Sequence, residues 1–186
     1  MLELLKAIWG VILWLWLFIL DHVAFCSLIV AIIGAVFAYA QWKKSMQIKR
    51  AEYLYELLEK IRTDEDIREA NYLFQYEDNL WYDEKFHNSG NLERKVDKTL
   101  NFFSYICYLA YGDLITDEEF CLFDFDIKSA LNDIQTKNYL FNLYHFSNKS
   151  GRVIPFYYLY QYGQDNNMFD EDFYNENSKK YPHYIF

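Results

Sequence analysis

The sequence predicts an all-α protein, with one or two N-terminal transmembrane helices followed by a helical cytosolic domain. Three observations carry that reading. Residues 23–42, VAFCSLIVAIIGAVFAYAQW, form an uncharged run of 20 residues, which at about 1.5 Å per residue spans a hydrocarbon core of about 30 Å. Downstream, apolar residues recur three and four apart, the helical period. Only 6 Gly and 2 Pro occur among 186 residues, too few turn-formers for many short strands.

A first apolar stretch, residues 4–20, carries a single charge at Lys6 and three tryptophans, Trp9, Trp14 and Trp16. Tryptophan favours the headgroup level, and the length is near the lower limit for a span. Two readings stand. One is a helical hairpin with Asp21 and His22 at a tight turn; the other is an interfacial helix leading into a single span. The lack of Gly or Pro near 21–22 counts against the hairpin, and apolarity all round counts against the interfacial helix. We favour the hairpin. A cleaved signal peptide fits poorly, because the apolar region is too long.

Lys43, Lys44, Lys49 and Arg50 follow the span at once, so the positive-inside rule places residues 43–186 in the cytosol. There Cys107 and Cys121 are expected as thiols. Asp21 and His22 read as a wet turn rather than a proton relay.

Four segments are expected: a transmembrane region at 1–42, a stalk helix at 43–62, a helical cytosolic domain at 63–162 and an acidic aromatic tail at 163–186. The stalk shows Ile48, Ala51, Tyr55, Leu58 and Ile61 on one stripe, continuous with the span or joined to it by a short break. Thr63 reads as an N-cap with acids in the first turn after it. A helix over 92–111 has Val96, Leu100, Phe103, Ile106, Cys107 and Ala110 on one face and Gly112 as its stop. Thr116 and Glu119 have capping-box spacing. One helix is expected over 127–146, with a phase slip at Tyr139. A short helix is expected over 154–162, with Pro155 in its first turn. The tail shows no period and reads as loose, or as a partner-binding arm.

Composition narrows function. Hydrophobic residues at 53% exclude a disordered chain. A net charge of −9 argues against a general binder of long nucleic acid. Three cysteines make no disulfide framework and have no metal-ligand spacing. No catalytic motif is present, so no enzyme, metal or cofactor is expected. His145 reads as a satisfied structural histidine, and His87 and His183 as exposed.

Charge is segregated. Residues 63–90 carry 8 acids and 2 bases, and residues 116–135 carry 6 acids and 1 base. Residues 136–162 carry no acid and three bases, Lys137, Lys149 and Arg152. Within that stretch Asn148, Lys149, Ser150 and Arg152, around Gly151, form a candidate phosphate cradle of hydroxyl, amide, backbone N–H groups and cations. The spacing is not that of a Walker loop. A polar helix-ending turn is the alternative. Tyr157 and Tyr158 stand beside it as candidate stacking platforms for bases, or else as core.

The strings VDKTLNFFSYICYLAYGDLITDEEF (96–120) and YLFNLYHFSNKSGRVIPFYYLYQYG (139–163), with the overall layout, resemble small bacterial membrane-anchored defence proteins. In particular, the chain resembles the cyclic-oligoadenylate-activated membrane effector of type III CRISPR systems. It implies a protein of the bacterial cytoplasmic membrane, a homo-oligomer, with cyclic oligoadenylate as ligand and the lipid bilayer as target. On that expectation Asn148, Lys149, Ser150, Arg152, Tyr157 and Tyr158 bind the messenger, and the stalk carries the change to the span. The competing expectation is a membrane-tethered scaffold that recruits a protein partner through the helical domain and tail.

Overall fold

A computed structural model describes residues 2–76, 80–88 and 90–184, and side chains there except those of 2–5, 19, 21 and 88. The described residues are helical with no strand, as the apolar periodicity predicts. They fall into two units, Met1–Tyr53 and Leu54–Phe186.

The first unit holds α1, Leu2–Asp21, and most of α2, Val23–Thr63. Among the described residues, α2 alone is long and apolar enough to cross a membrane. The expected hairpin is not formed. His22 alone separates the helices, and its N–H still donates to the Phe18 carbonyl at 3.1 Å while Cys26 N–H donates to the His22 carbonyl at 2.9 Å. Trp14, Phe18 and His22 stack along one face through this junction. A packed hairpin would bury a seam, yet Trp14, Leu17, Val30 and Val36 are 57–69% exposed. The Asp21 half of the turn reading falls on a side chain outside those described. Of the two readings of the stalk, the continuous one holds, because α2 runs unbroken through Lys43 to Thr63.

The second unit has its own core. It begins with Leu54 and Leu57 of α2, which are buried. Next come α3 (Glu65–Tyr76), α4 (Asn91–Tyr111), α5 (Asp117–Asn132), α6 (Ile134–Ser150) and α7 (Tyr157–Asp165). Two 3-10 turns lie at Phe86–Asn88 and Glu171–Tyr174. The central element is α4, packed on α3, α5 and α7. Its Val96, Leu100, Phe103, Ile106 and Cys107 are all fully buried, at the spacing expected of a core stripe.

Local signals set the boundaries, some one residue away from expectation. Thr116 and Glu119 form the capping box, and Gly112 ends α4. The cap of α3 is Asp64, not Thr63. Its carboxylate accepts from the Asp66 and Ile67 N–H groups, while Thr63 still belongs to α2 and donates back to the Glu59 carbonyl. The single helix expected over 127–146 is two. Asp133, with extended backbone, ends α5 and caps α6 through Thr136 N–H and Oγ1, both at 2.8 Å. The last short helix begins at Tyr157, after Phe156 in left-handed geometry at φ 56°, so Pro155 precedes it.

The tail is not loose. Phe173 is fully buried, with Phe169 and Tyr181 nearly so. Phe169 and Phe173 stack at 4.1 Å, and Tyr181 lies flat on Phe141 of α6 at 4.7 Å. Phe169 sits directly against Gly163, where an added Cβ would come within 2.3 Å of its ring. Asn142 of α6 holds the last turn from both sides, donating to the Pro182 carbonyl at 2.8 Å and accepting from Tyr184 N–H at 3.0 Å. Lys180 pairs with Asp170 within the tail.

Candidate functional site

Asn148, Lys149 and Ser150 are the last residues of α6, exposed on its final turn, and Gly151 caps the helix at φ 64°. This geometry spends the donors that a phosphate cradle needs. Gly151 N–H donates to the Asn148 carbonyl and Arg152 N–H to the Ser147 carbonyl, the C-terminal capping pattern. Ser150 Oγ donates back to the Phe146 carbonyl at 2.7 Å. Lys149 and Arg152 therefore lie at a helix C-terminus, where carbonyls give a partial negative charge that the two cations complement. The Arg152 guanidinium also lies over the Phe146 ring, 5.4 Å from its centre.

The other members of the cationic stretch are not gathered there. Lys137 lies at the opposite end of α6, twelve residues and about 18 Å along the axis from Lys149. Burial holds its ammonium below the usual lysine range, opposed by Asp170. Tyr158 turns to α4, with its ring 5.0 Å from Tyr108 and 6.2 Å from Tyr111. Tyr157 is exposed and meets Tyr158 edge-on.

Lys149 does line a small concavity of about 200 Å³, with Asn142, His145, Glu176, His183 and Tyr184 around it. The tail makes one wall, so sequence spacing gives no sign of it. His145 is satisfied as expected, its Nε2 donating to the Phe173 carbonyl at 3.0 Å. His183 is exposed, as expected, and its Nε2 donates to the Ser178 carbonyl at 2.8 Å.

A second concavity is an open groove of about 680 Å³ between α3 and the start of α4. Tyr72, Leu73 and Leu92 supply its apolar lining, with Arg68, Glu69, Asn91 and Lys95 around them. A charged clasp also links the two helices. Lys98 reaches Asp64 at 2.8 Å and Asp66 at 2.9 Å, and Arg94 reaches Asp66 at 3.1 Å. The Lys98 ammonium holds the Asp64 carboxyl below the usual carboxylate range.

The third feature is a buried polar cluster. His87, expected at the surface, has a side chain only 13% exposed, and its Nδ1 is 2.7 Å from Glu93. Tyr139 OH donates to Asp97 at 2.5 Å, and burial pushes the Asp97 carboxyl above its usual range. Tyr82 and Phe86 meet Tyr139 edge-on at 5.3 Å. The local sequence around 83–91 reads as a polar loop, and packing against Glu93 of α4 and Tyr139 of α6 turns His87 inward. Among the described residues no group of His, Cys, Asp or Glu is arranged to hold a metal ion. Cys107 is inert as a nucleophile, since burial pushes its thiol up to about 12.

Comparison with protein-family models, curated proteins and solved structures returns no match.

Proposed function

We propose that this protein is a membrane-anchored recruiting protein, with no chemistry of its own, whose second unit docks a partner. The observation that supports the anchor is the exposure of the apolar α1 and α2 residues, with none of the α2 apolar window buried. Leaving such side chains half in water costs on the order of 1 kcal/mol each, a cost that a bilayer removes. The second unit meanwhile closes its own core around Phe103, Phe123 and Leu131.

The groove between α3 and α4 is the recruiting surface in this reading. Its occupant is an amphipathic helix of a partner protein, laying an apolar stripe against Tyr72, Leu73 and Leu92. An acid on that helix would complement Arg68, which is exposed at the groove. This replaces the tail as the docking arm, because the tail's aromatics are committed to the core.

The messenger reading keeps one favourable observation, Lys149 in the small polar concavity beside His145 and His183. At about 200 Å³ that space is below the range that ordinary ligands fill. A cyclic oligoadenylate would need several copies of the chain assembled around it, with Lys149 and Arg152 on its phosphates and Tyr157 or Tyr158 on a base. Under this reading the protein belongs to antiviral defence at the bacterial cytoplasmic membrane, with residues 43–186 in the cytosol.

One experiment separates the two. The full chain in nanodiscs is titrated with cyclic tri-, tetra- and hexa-adenylate while thermal stability is followed. The recruiting reading expects no shift. A shift of about 2.7 kcal/mol at a hundredfold excess over Kd, lost in the K149A/R152A variant, would overturn it in favour of the messenger.

A further inference from the structure

We infer that residues 39–50 of α2 form a collar that recognises the headgroups of anionic phospholipids. The inference rests on the reading of α2 as a span and adds the lipid class that it selects. No acid occurs between Asp21 and Glu52, whereas Lys43, Lys44, Lys49 and Arg50 all lie there. All four are exposed on a regular helix.

Their spacing distributes the charge around the helix. At about 100° per residue, Lys43 and Arg50 share one direction, Lys44 points about 100° away, and Lys49 fills the remaining side. A stripe along one face would suit a protein partner. A ring of charge suits the surrounding lipids, each of which meets the helix from a different side. Tyr39 and Trp42 mark the level of the ring. Both are exposed, their ring centres are 5.9 Å apart, and such aromatics settle at the headgroup boundary. Lys43 and Lys44 then lie among the phosphates. Lys49 and Arg50 lie about 10–12 Å beyond Trp42, a little over one Debye length at about 0.1 M salt.

The rest of the chain sharpens the argument. Residues 54–186 carry 24 acids and 13 bases, a net of −11, while residues 1–53 carry 3 acids and 5 bases. An anionic surface repels the second unit in bulk, so attraction to it must come from the collar.

The test uses the full chain in bilayers of phosphatidylcholine containing spin-labelled phosphatidylglycerol or spin-labelled phosphatidylcholine. The fraction of each label held motionally restricted at the protein gives its relative association. The collar predicts a preference for phosphatidylglycerol of about fivefold, the worth of one basic residue at the surface. That preference should fall away in high salt and in the K43Q/K44Q/K49Q/R50Q variant, since Gln preserves the helix. Equal association of the two lipids, or a preference that survives in the variant, would overturn the collar. Restriction of neither lipid would instead overturn the span, and with it the anchor.

Discussion

The N-terminal unit and the C-terminal tail are both rich in aromatic side chains, and they use them in opposite ways. Trp9, Trp14, Trp16 and Phe37 are 64–65% exposed, on two long regular helices. Phe169, Phe173 and Tyr181 are buried, on a segment with almost no regular structure. The difference lies in what surrounds each ring. The N-terminal aromatics sit among aliphatic neighbours with no polar face, so no interior side is defined, and on the anchor reading a bilayer is the matching solvent. The tail's rings alternate with Asp, Asn and Lys, which bind the backbone and one another at the surface. Asp170 caps the Glu171–Tyr174 turn through Phe173 N–H at 3.0 Å and accepts from Tyr181 OH at 3.1 Å.

The largest expected effect breaks the tail's half of the comparison. Phe173→Ala removes a ring that touches Phe141, Phe169 and Tyr181, and should cost about 3–5 kcal/mol in denaturant unfolding of the full chain in detergent. A cost under about 1 kcal/mol would mean the tail is not core. Gly163→Ala drives a Cβ into the Phe169 ring and should cost about 1–3 kcal/mol by the same measurement. Thr116→Ala, remote from the tail, removes only the capping box of α5, and should cost about 1 kcal/mol.

The smallest effect concerns pH. Burial raises the Asp97 carboxyl above its ordinary value of 3.8, so the folded state binds that proton more tightly than the unfolded state. Stability from this group is therefore present below pH 3.8 and is lost as pH rises through the raised value. Asp97→Asn keeps an acceptor for Tyr139 and should gain a few tenths of a kcal/mol at neutral pH. Melting curves between about pH 4 and 7 should show the variant's advantage shrinking toward the acid end.

What the sequence shows follows from how local each signal is. The capping box at Thr116 and the stop at Gly112 need only their neighbours, and both stand where spacing puts them. The sequence does not single out Asp133; it shows only a phase slip at Tyr139 within one expected helix. The role of Asp133 as a double cap depends on α5 and α6 meeting there, which periodicity cannot report. The tail's contacts are non-local: Tyr181 finds Phe141 forty residues away, and no period encodes that pairing. The candidate site shows the same limit. Composition locates Asn148, Lys149, Ser150 and Arg152 as a polar cationic run. Whether its N–H groups face outward depends on helix α6 continuing to Ser150, and they are consumed by the cap. His87 reads as a loop residue because Glu93 and Tyr139, which enclose it, lie on two different helices.

The central claim is that the first unit is a membrane anchor. Alkaline carbonate extraction of membranes from cells expressing the full chain tests it directly, because carbonate strips peripheral proteins and leaves spanning ones. The protein should stay in the pellet and leave it only with detergent. Release into the carbonate supernatant, or recovery in the soluble fraction, would contradict the anchor and mean that the exposed faces of α1 and α2 are covered by protein.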